Sequence, residues 1–389
     1  FASTDRNAVL VRLRRATDRG NAIGTYLLKF AGVNNFEVEG YAVAVFDERA
    51  VCGLTEGLFA QDQITLTSQN NVGAGICVHS EDHVWLPQQN TFADGSVVSM
   101  PDLDDCQTKC DDSANPGIYA IESHQVFPDF RQMVIDAHAQ FQQPLGNNDL
   151  KDDAFTDVTA DSTFTNGVAQ LLSAGIITKE KSEDIGIGDV VALSHSQFHA
   201  LERLPTGLVY DVDCPDNGSG PTTRLTFDGS TGKMDHAVLI SDCFIHFGDG
   251  SEVVGSTVLT IRPSSNATVS SDSSVTIGDP TGTCVEADTT TIMWVGKMNV
   301  PAEFAMSNVT IIAGDDVNLA SATSSGIATT GIAVYAQGEI HVAAQHTFNA
   351  CNLDNNIIEP DLETLRLVLP VQNTVAMANN PVFRLRKNG

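Results

Sequence analysis

The chain has 389 residues with 49 acidic against 21 basic side chains, a formal net charge of −28, which argues against nucleic acid as a partner because Lys and Arg must neutralise its phosphates. With 42% hydrophobic and 18% charged residues, the composition excludes a globally disordered chain. Its length suits two or three domains or one elongated unit, and its acidic surface suits solubility in a salty or calcium-containing medium.

The sequence opens on Phe1 rather than Met, and a missing leader or anchor fits export. Within residues 1–38, Val9, Leu10, Leu13 and Ala16 are spaced as one face of a helix. Arg6, Arg12, Arg14, Arg15 and Arg19 make that predicted N-terminal helix basic on an acidic body. It reads as a partner-contacting arm, a segment beside lipid headgroups or a solvated helix face.

Residues 39–119 change to short β-branched runs broken by Asn, Gly, Asp and Ser, such as YAVAVF, ITLTS, GICVH and SVVSM. These are strand and turn signals. Residues 120–205 predict a mostly helical insertion. In it Phe130, Met133, Val134, Ala137 and Phe141 share one face, and Val168 to Ile177 supplies a second apolar turn. Residues 206–389 return to strands, from LVYDVDC to LRLVLPV.

An internal repeat links the two β regions. Phe59 to Leu66 (FAQDQITL) matches Tyr335 to Val342 (YAQGEIHV), and Phe304 to Ile311 is a weaker third copy. After Val309, apolar residues recur at Val317, Ile332, Ile340 and Phe348, at steps near eight with one irregularity. The fold class expected is mainly β, with a β-solenoid or β-helix-like repeat region in which each coil buries branched residues against the one before. The alternative is antiparallel β-sandwich domains. The solenoid reading brings the two ends of the chain together in one stack, with Ile64, Leu66, Val309, Ile311, Ile340 and Val342 facing a common interior.

Eight cysteines and no CxxC pair point to disulfides formed outside the reducing cytosol. The pairs expected are Cys106 with Cys110 and Cys214 with Cys243. Asp102, Asp104, Asp105, Asp111 and Asp112 flank the first pair, an oxygen-rich loop that is a candidate for calcium or an ordinary acidic loop. A second acidic turn holds Asp211, Asp213, Asp216 and Asn217. His79 with His83, His195 with His199 and His341 with His346 are close in sequence, but no HExxH, P-loop, nucleophile elbow or dinucleotide fingerprint accompanies them. No cofactor other than calcium is implied. Asn217, Asn266 and Asn308 begin Asn-x-Ser/Thr triplets.

The segment from Gly40 to Asp105 contains GAGICVHSEDHVWLPQQNTF followed by SMPDLDD. Through that run it resembles the TadE/TadG-like pilus-assembly proteins of the bacterial tight-adherence (Flp-type) system, and AQGEIHVAAQHTFN resembles them more loosely. The resemblance implies export to the periplasm, cell surface or exterior of a Gram-negative bacterium and a structural role, with no catalytic residues to carry over. Members carry an N-terminal membrane segment, which this sequence does not show. The function expected is a non-enzymatic exported surface protein: a pilus-associated component, an adhesin or a self-assembling fibre subunit. Its expected partners are further copies of itself, through residues 1–30 or 364–389, and other surface or pilus components. The alternative is a secreted polysaccharide lyase or hydrolase on the same scaffold, although Arg and Lys are sparse in the strands and only five Tyr and two Trp are present.

Overall fold

The computed structural model describes Ala8–Arg15, Ile23–Gly24, Asn35–Phe36, Val38–Val45, Cys52 and residues 56–351, apart from 88, 126, 146–148, 215–222, 228–232, 263–266, 273, 280, 286–287, 301–303 and 321–328. Expectations for Asp216, Asn217, Asn266 and residues 364–389 lie outside the described residues. The chain divides into two units: one holds residues 1–51 and the other begins at Cys52.

In the first unit the predicted helix is replaced by strands. β1 (Ala8–Arg15) pairs antiparallel with β4 (Val38–Val45) along its whole length, and β2 (Ile23–Gly24) pairs with β3 (Asn35–Phe36). The run Val11-Arg12-Leu13-Arg14 alternates with a period of two as well as fitting a helical spacing, and the valine-rich partner YAVAV offers a ladder that an isolated helix lacks.

The second unit is mainly β. Its first coils are β5 (Gly57–Ala60), β6 (Ile64–Leu66) and β7 (Asn71–Val72), then β8 (Cys77–Ser80), β9 (Val84–Trp85) and β10 (Thr91–Phe92). β11 (Val97–Met100) and β12 (Ala120–Glu122) follow, and then the helical segment: α1 (Phe130–Phe141), α2 (Asp149–Ala154), α3 (Ser162–Ser173), α4 (Lys179–Asp184) and, after β13 (Val190–Ser194), α5 (His195–Ala200). The strands resume as β14 (Arg203–Leu204), β15 (Val209–Asp213), β16 (Arg224–Phe227), β17 (Lys233–Asp235), β18 (Val238–Ser241), β19 (Phe244–Phe247), β20 (Glu252–Val254), β21 (Thr257–Thr260), β22 (Ala267–Ser271) and β23 (Val275–Gly278). The last are β24 (Thr290–Trp294), β25 (Lys297–Val300), β26 (Phe304–Ala313), β27 (Val317–Leu319), β28 (Thr329–Ala336), β29 (Ile340–Val342) and β30 (Thr347–Asn349).

Every strand pair described in this unit is parallel, so the antiparallel alternative does not apply to it. The pairs form three columns. Face one runs β13, β15, β18, β21, β24, the second half of β26, the second half of β28, β5, β8, β11 and β12. Face two runs β16, β19, β22, β25, β27, β29, β6 and β9. Face three runs β14, β17, β20, β23, the starts of β26 and β28, then β30, β7 and β10.

Spatial order is therefore not chain order, because the coil made last, β28 to β30, stacks on the coil made first, β5 to β7. The matching repeats meet there: Tyr335 faces Phe59 and Ile340 faces Ile64. The two aromatic rings stack at 5.0 Å. The third copy has a different register from the one expected, with Ile312 and Ala313 beside Tyr335 and Ala336, and Val317 beside Ile340. β26 turns a corner at Asn308, whose φ is 56°, so its opening aromatic, Phe304, belongs to face three.

Ile64, Leu66, Val309, Ile311, Ile340 and Val342 are all buried in one continuous core, as are Val317, Ile332 and Phe348. The step of about eight is the distance from one face to the next. α1 lies against the outer surface of β21, β24 and β26, where the outward residues Leu259, Met293 and Ile312 are buried as well. Phe130, Met133, Val134, Ala137 and Phe141 are its buried residues, the face read from the sequence. Its ends are tied to coils far apart in the stack: the Phe130 N–H donates to Gln337 Oε1 at 2.9 Å, and Gln142 Nε2 donates to Asp211 Oδ2 at 2.9 Å.

The ends of the stack are covered. Phe164, Val168 and Leu171 of α3 and Phe198 of α5 join the core at the β13 end. A 3-10 helix, Leu103–Cys110, packs beside β9 and β12 at the other. No described helix is long and apolar enough to cross a membrane.

Candidate functional site

Cysteine chemistry follows the sequence reading. Cys106–Cys110 and Cys214–Cys243 are paired, as are Cys52–Cys77 and Cys284–Cys351, and no cysteine is free. Four disulfides belong to an oxidising compartment. Cys284–Cys351 sits against Gly331, which has φ 61° and where a Cβ would lie 1.8 Å from the Cys351 sulfur; only glycine suits that corner.

Two of the aspartates around Cys106 and Cys110 accept hydrogen bonds from the backbone of their own loop. Asp102 caps the 3-10 helix by accepting the Asp104 N–H at 2.8 Å, and Asp112 accepts the Gly117 N–H at 2.6 Å. Asp104, Asp105 and Asp111 are exposed. Among the described residues, the one set of three potential ligand atoms within 4.8 Å of each other is Cys214, Asp242 and Cys243, where both sulfurs are spent in a disulfide. The carboxylates lie at helix and turn starts, where backbone N–H groups claim them first.

Two of the three histidine pairs separate, and the third is in ring contact. His79 is fully buried while His83 bonds Asp82 nearby. His195 and His199 lie 4.5 Å apart between ring centroids, but His195 donates Nε2–H to the Arg224 carbonyl at 2.9 Å. His341 is exposed on face two and His346 points inward.

One arrangement of triad type exists. His79 shares hydrogen bonds with Ser99 Oγ at 2.6 Å and Glu81 Oε1 at 2.9 Å. Burial pushes the Glu81 carboxyl up, but the His79 ring, the Gln125 N–H and the His124 ring outweigh it and hold it below the usual range. Ser99 and His79 are wholly inaccessible, with Phe127 against the imidazole at 5.6 Å, so no substrate reaches the hydroxyl. The group anchors the segment that leaves the stack toward α1.

Face two carries one continuous outward row of side chains. Its outward positions, read along the stack, are Thr226, His246, Ser270, Asn299, Asn318, His341, Thr65 and Trp85. Consecutive members are one strand spacing apart, about 4.8 Å. Asn318 Nδ2 donates to Asn299 Oδ1 at 2.9 Å, His246 Nδ1 shares a hydrogen bond with Ser270 Oγ at 2.9 Å, and Gln63 Nε2 donates to Thr65 Oγ1 at 2.8 Å. Trp85 ends the row with 47% of its surface exposed.

A groove of about 520 Å³ opens on this row, lined among others by Ser270, Ser271, Asn299, Asn318, Ala320 and His341. Its described lining contains no Asp or Glu. Ser271 occupies an inward position, beside Val300, and its buried Oγ has no hydrogen-bond partner. Asp272 reaches the row at His246, 3.2 Å away. Along the corner between faces one and two lie Asp62, Asp82, Asp315 and Asp316. Burial and then the charges of Asp82, Asp316 and Asp315 push Asp62 up, while Lys297 bonds Asp316.

Sequence reading missed this face because its row is assembled from coils out of chain order. The signal was nevertheless present: the middle residue of each short apolar-polar-apolar run, ITL, VNL and IHV, is a row member.

The arrangement is that of a mainly β protein of parallel strands cross-linked by four disulfides. Residues 57–352 match the family model described as Domain of unknown function (DUF7867), and the chain belongs to that family. The match begins at the first residue of β5 and ends one residue past Cys351, so it spans both segments of the stack. No curated protein and no solved structure matches the chain.

Proposed function

We infer that this protein is a non-enzymatic, exported surface module: a rigid stack that displays a binding face at or beyond the cell boundary. The observation that carries the reading is the complete pairing of eight cysteines, two pairs of which lie on either side of the joint between the first and last coils, one within each stretch of chain. Cys284–Cys351 holds the end of the last coil, and the Cys351 N–H donates to Glu56 Oε2 at 2.9 Å. Cys52–Cys77 holds the entry to the first. Such cross-links restrict the unfolded chain by about 3–4 kcal/mol each for loops of this size, and they form only where thiols are oxidised.

The lyase or hydrolase alternative asks for paired carboxylates flanking a sugar-sized cleft, which the described lining of the groove does not supply. The tight-adherence resemblance rests on Gly40–Asp105 alone, and much of that motif is used in stacking: Ile76, Val78 and Phe92 are buried in the core and Asn90 in a coil corner. A pilus-associated or adhesive role remains the finer form of the proposal.

Gold-labelled antibody on intact and on opened cells that make the protein tests it. Label on intact cells, with eight cysteines unreactive to alkylation before reduction, is expected. Label confined to the cytosol, or free thiols, overturns the reading.

A further inference from the structure

We propose that face two binds an uncharged, ribbon-like β-1,4-linked polysaccharide laid along the stack, with Trp85 beneath one sugar and the groove lined by Ser270, Asn299, Asn318 and His341 holding another. The proposal goes beyond the exported-module reading, which specifies no ligand.

Three observations lead to it. Hydrogen-bonding groups recur at one per strand spacing, about 4.8 Å, comparable to the rise of one pyranose in an extended glycan. The row members Ser270, Asn299, Asn318 and Thr65 are uncharged amides and hydroxyls, each able to donate and to accept, as sugar hydroxyls require. Trp85 stands 47% exposed at the end of the row, an aromatic platform on which a sugar ring can stack.

Charge selects within this class. Asp62, Asp82, Asp315 and Asp316 line the adjacent corner of a chain with net charge −28, so a polyuronate or sulfated chain is repelled from the face. A groove of about 520 Å³ lies within the range of small-ligand sites, about 300–1,000 Å³, which suits single sugar units.

Native gels containing hydroxyethylcellulose, galactomannan, dextran or alginate test the proposal with the full chain. Retardation by hydroxyethylcellulose or galactomannan, with little by dextran or alginate, is expected. Trp85→Ala and the double variant Asn299→Ala/Asn318→Ala should each weaken it by about tenfold, the equivalent of one good contact, while Thr91→Ala on face three leaves it unchanged. Unreduced mass and thermal midpoint confirm that each variant keeps its disulfides and fold. No retardation by either β-1,4-linked polymer overturns the proposal, as does retardation that the face-two variants leave intact. Equal or stronger binding of alginate overturns the assignment to neutral chains. None of these results touches the location, which the labelling experiment decides separately.

Discussion

At the scale of single residues, the corner between faces two and three depends on asparagine. Asn70, Asn90 and Asn115 are fully buried. The His346 N–H donates to Asn70 Oδ1 at 2.9 Å, the Asn70 N–H to Asn90 Oδ1 at 3.0 Å and the Asn90 N–H to Asn115 Oδ1 at 2.9 Å. Each amide thus satisfies a backbone donor of the adjoining coil that strand pairing cannot reach. Asn90→Ala leaves the Asn70 N–H without its acceptor, and a buried unsatisfied donor costs about 1–3 kcal/mol. Urea unfolding should show a lower midpoint by that amount, whereas the exposed neighbour Asn71→Ala should lie within about 0.5 kcal/mol of the parent. An Asn90 variant as stable as the parent would dissolve the ladder argument.

Single elements show what the sequence could and could not disclose. The inward face of α1 was legible because five apolar residues at helical spacing admit one orientation. Met133→Ala should cost about 2–5 kcal/mol by opening a cavity against face one, and Ile135→Ala, on the exposed side at 41%, almost nothing; equal losses in thermal melts would mean that α1 does not pack as described. Cys106–Cys110 was legible from spacing, but the surrounding aspartates were not, since a carboxylate at a helix start and one at a metal look alike until the backbone is placed. The N-terminal segment was misread because VLVRLRR satisfies both periods and only its partner, 30 residues on, decides. Face two was hidden for a different reason: coils that touch, such as those of His346 and Asn70, stand 276 residues apart.

On the scale of the molecule, the joint between β28–β30 and β5–β7 makes one stack from two separated stretches of chain. Removing residues 52–122 strips the last coil of its partner and exposes an unpaired parallel edge, a template for pairing with other copies. Light scattering should therefore find the fragment 123–389 associated, and a separate 52–122 peptide should return it to the size of one complex. A fragment that stays monomeric and fully folded alone would mean that the joint contributes little.

The same joint sets a schedule for biogenesis. Coils that add one at a time from the N-terminus can fold as they are made, but here β5 lacks one neighbour until residues near 336 exist, and pairings so distant in sequence form slowly. Cys106 and Cys110, four residues apart, can oxidise early; Cys284 and Cys351 can do so only when the final coil has docked. The stack thus closes only when the last coil has been made and has docked on the first.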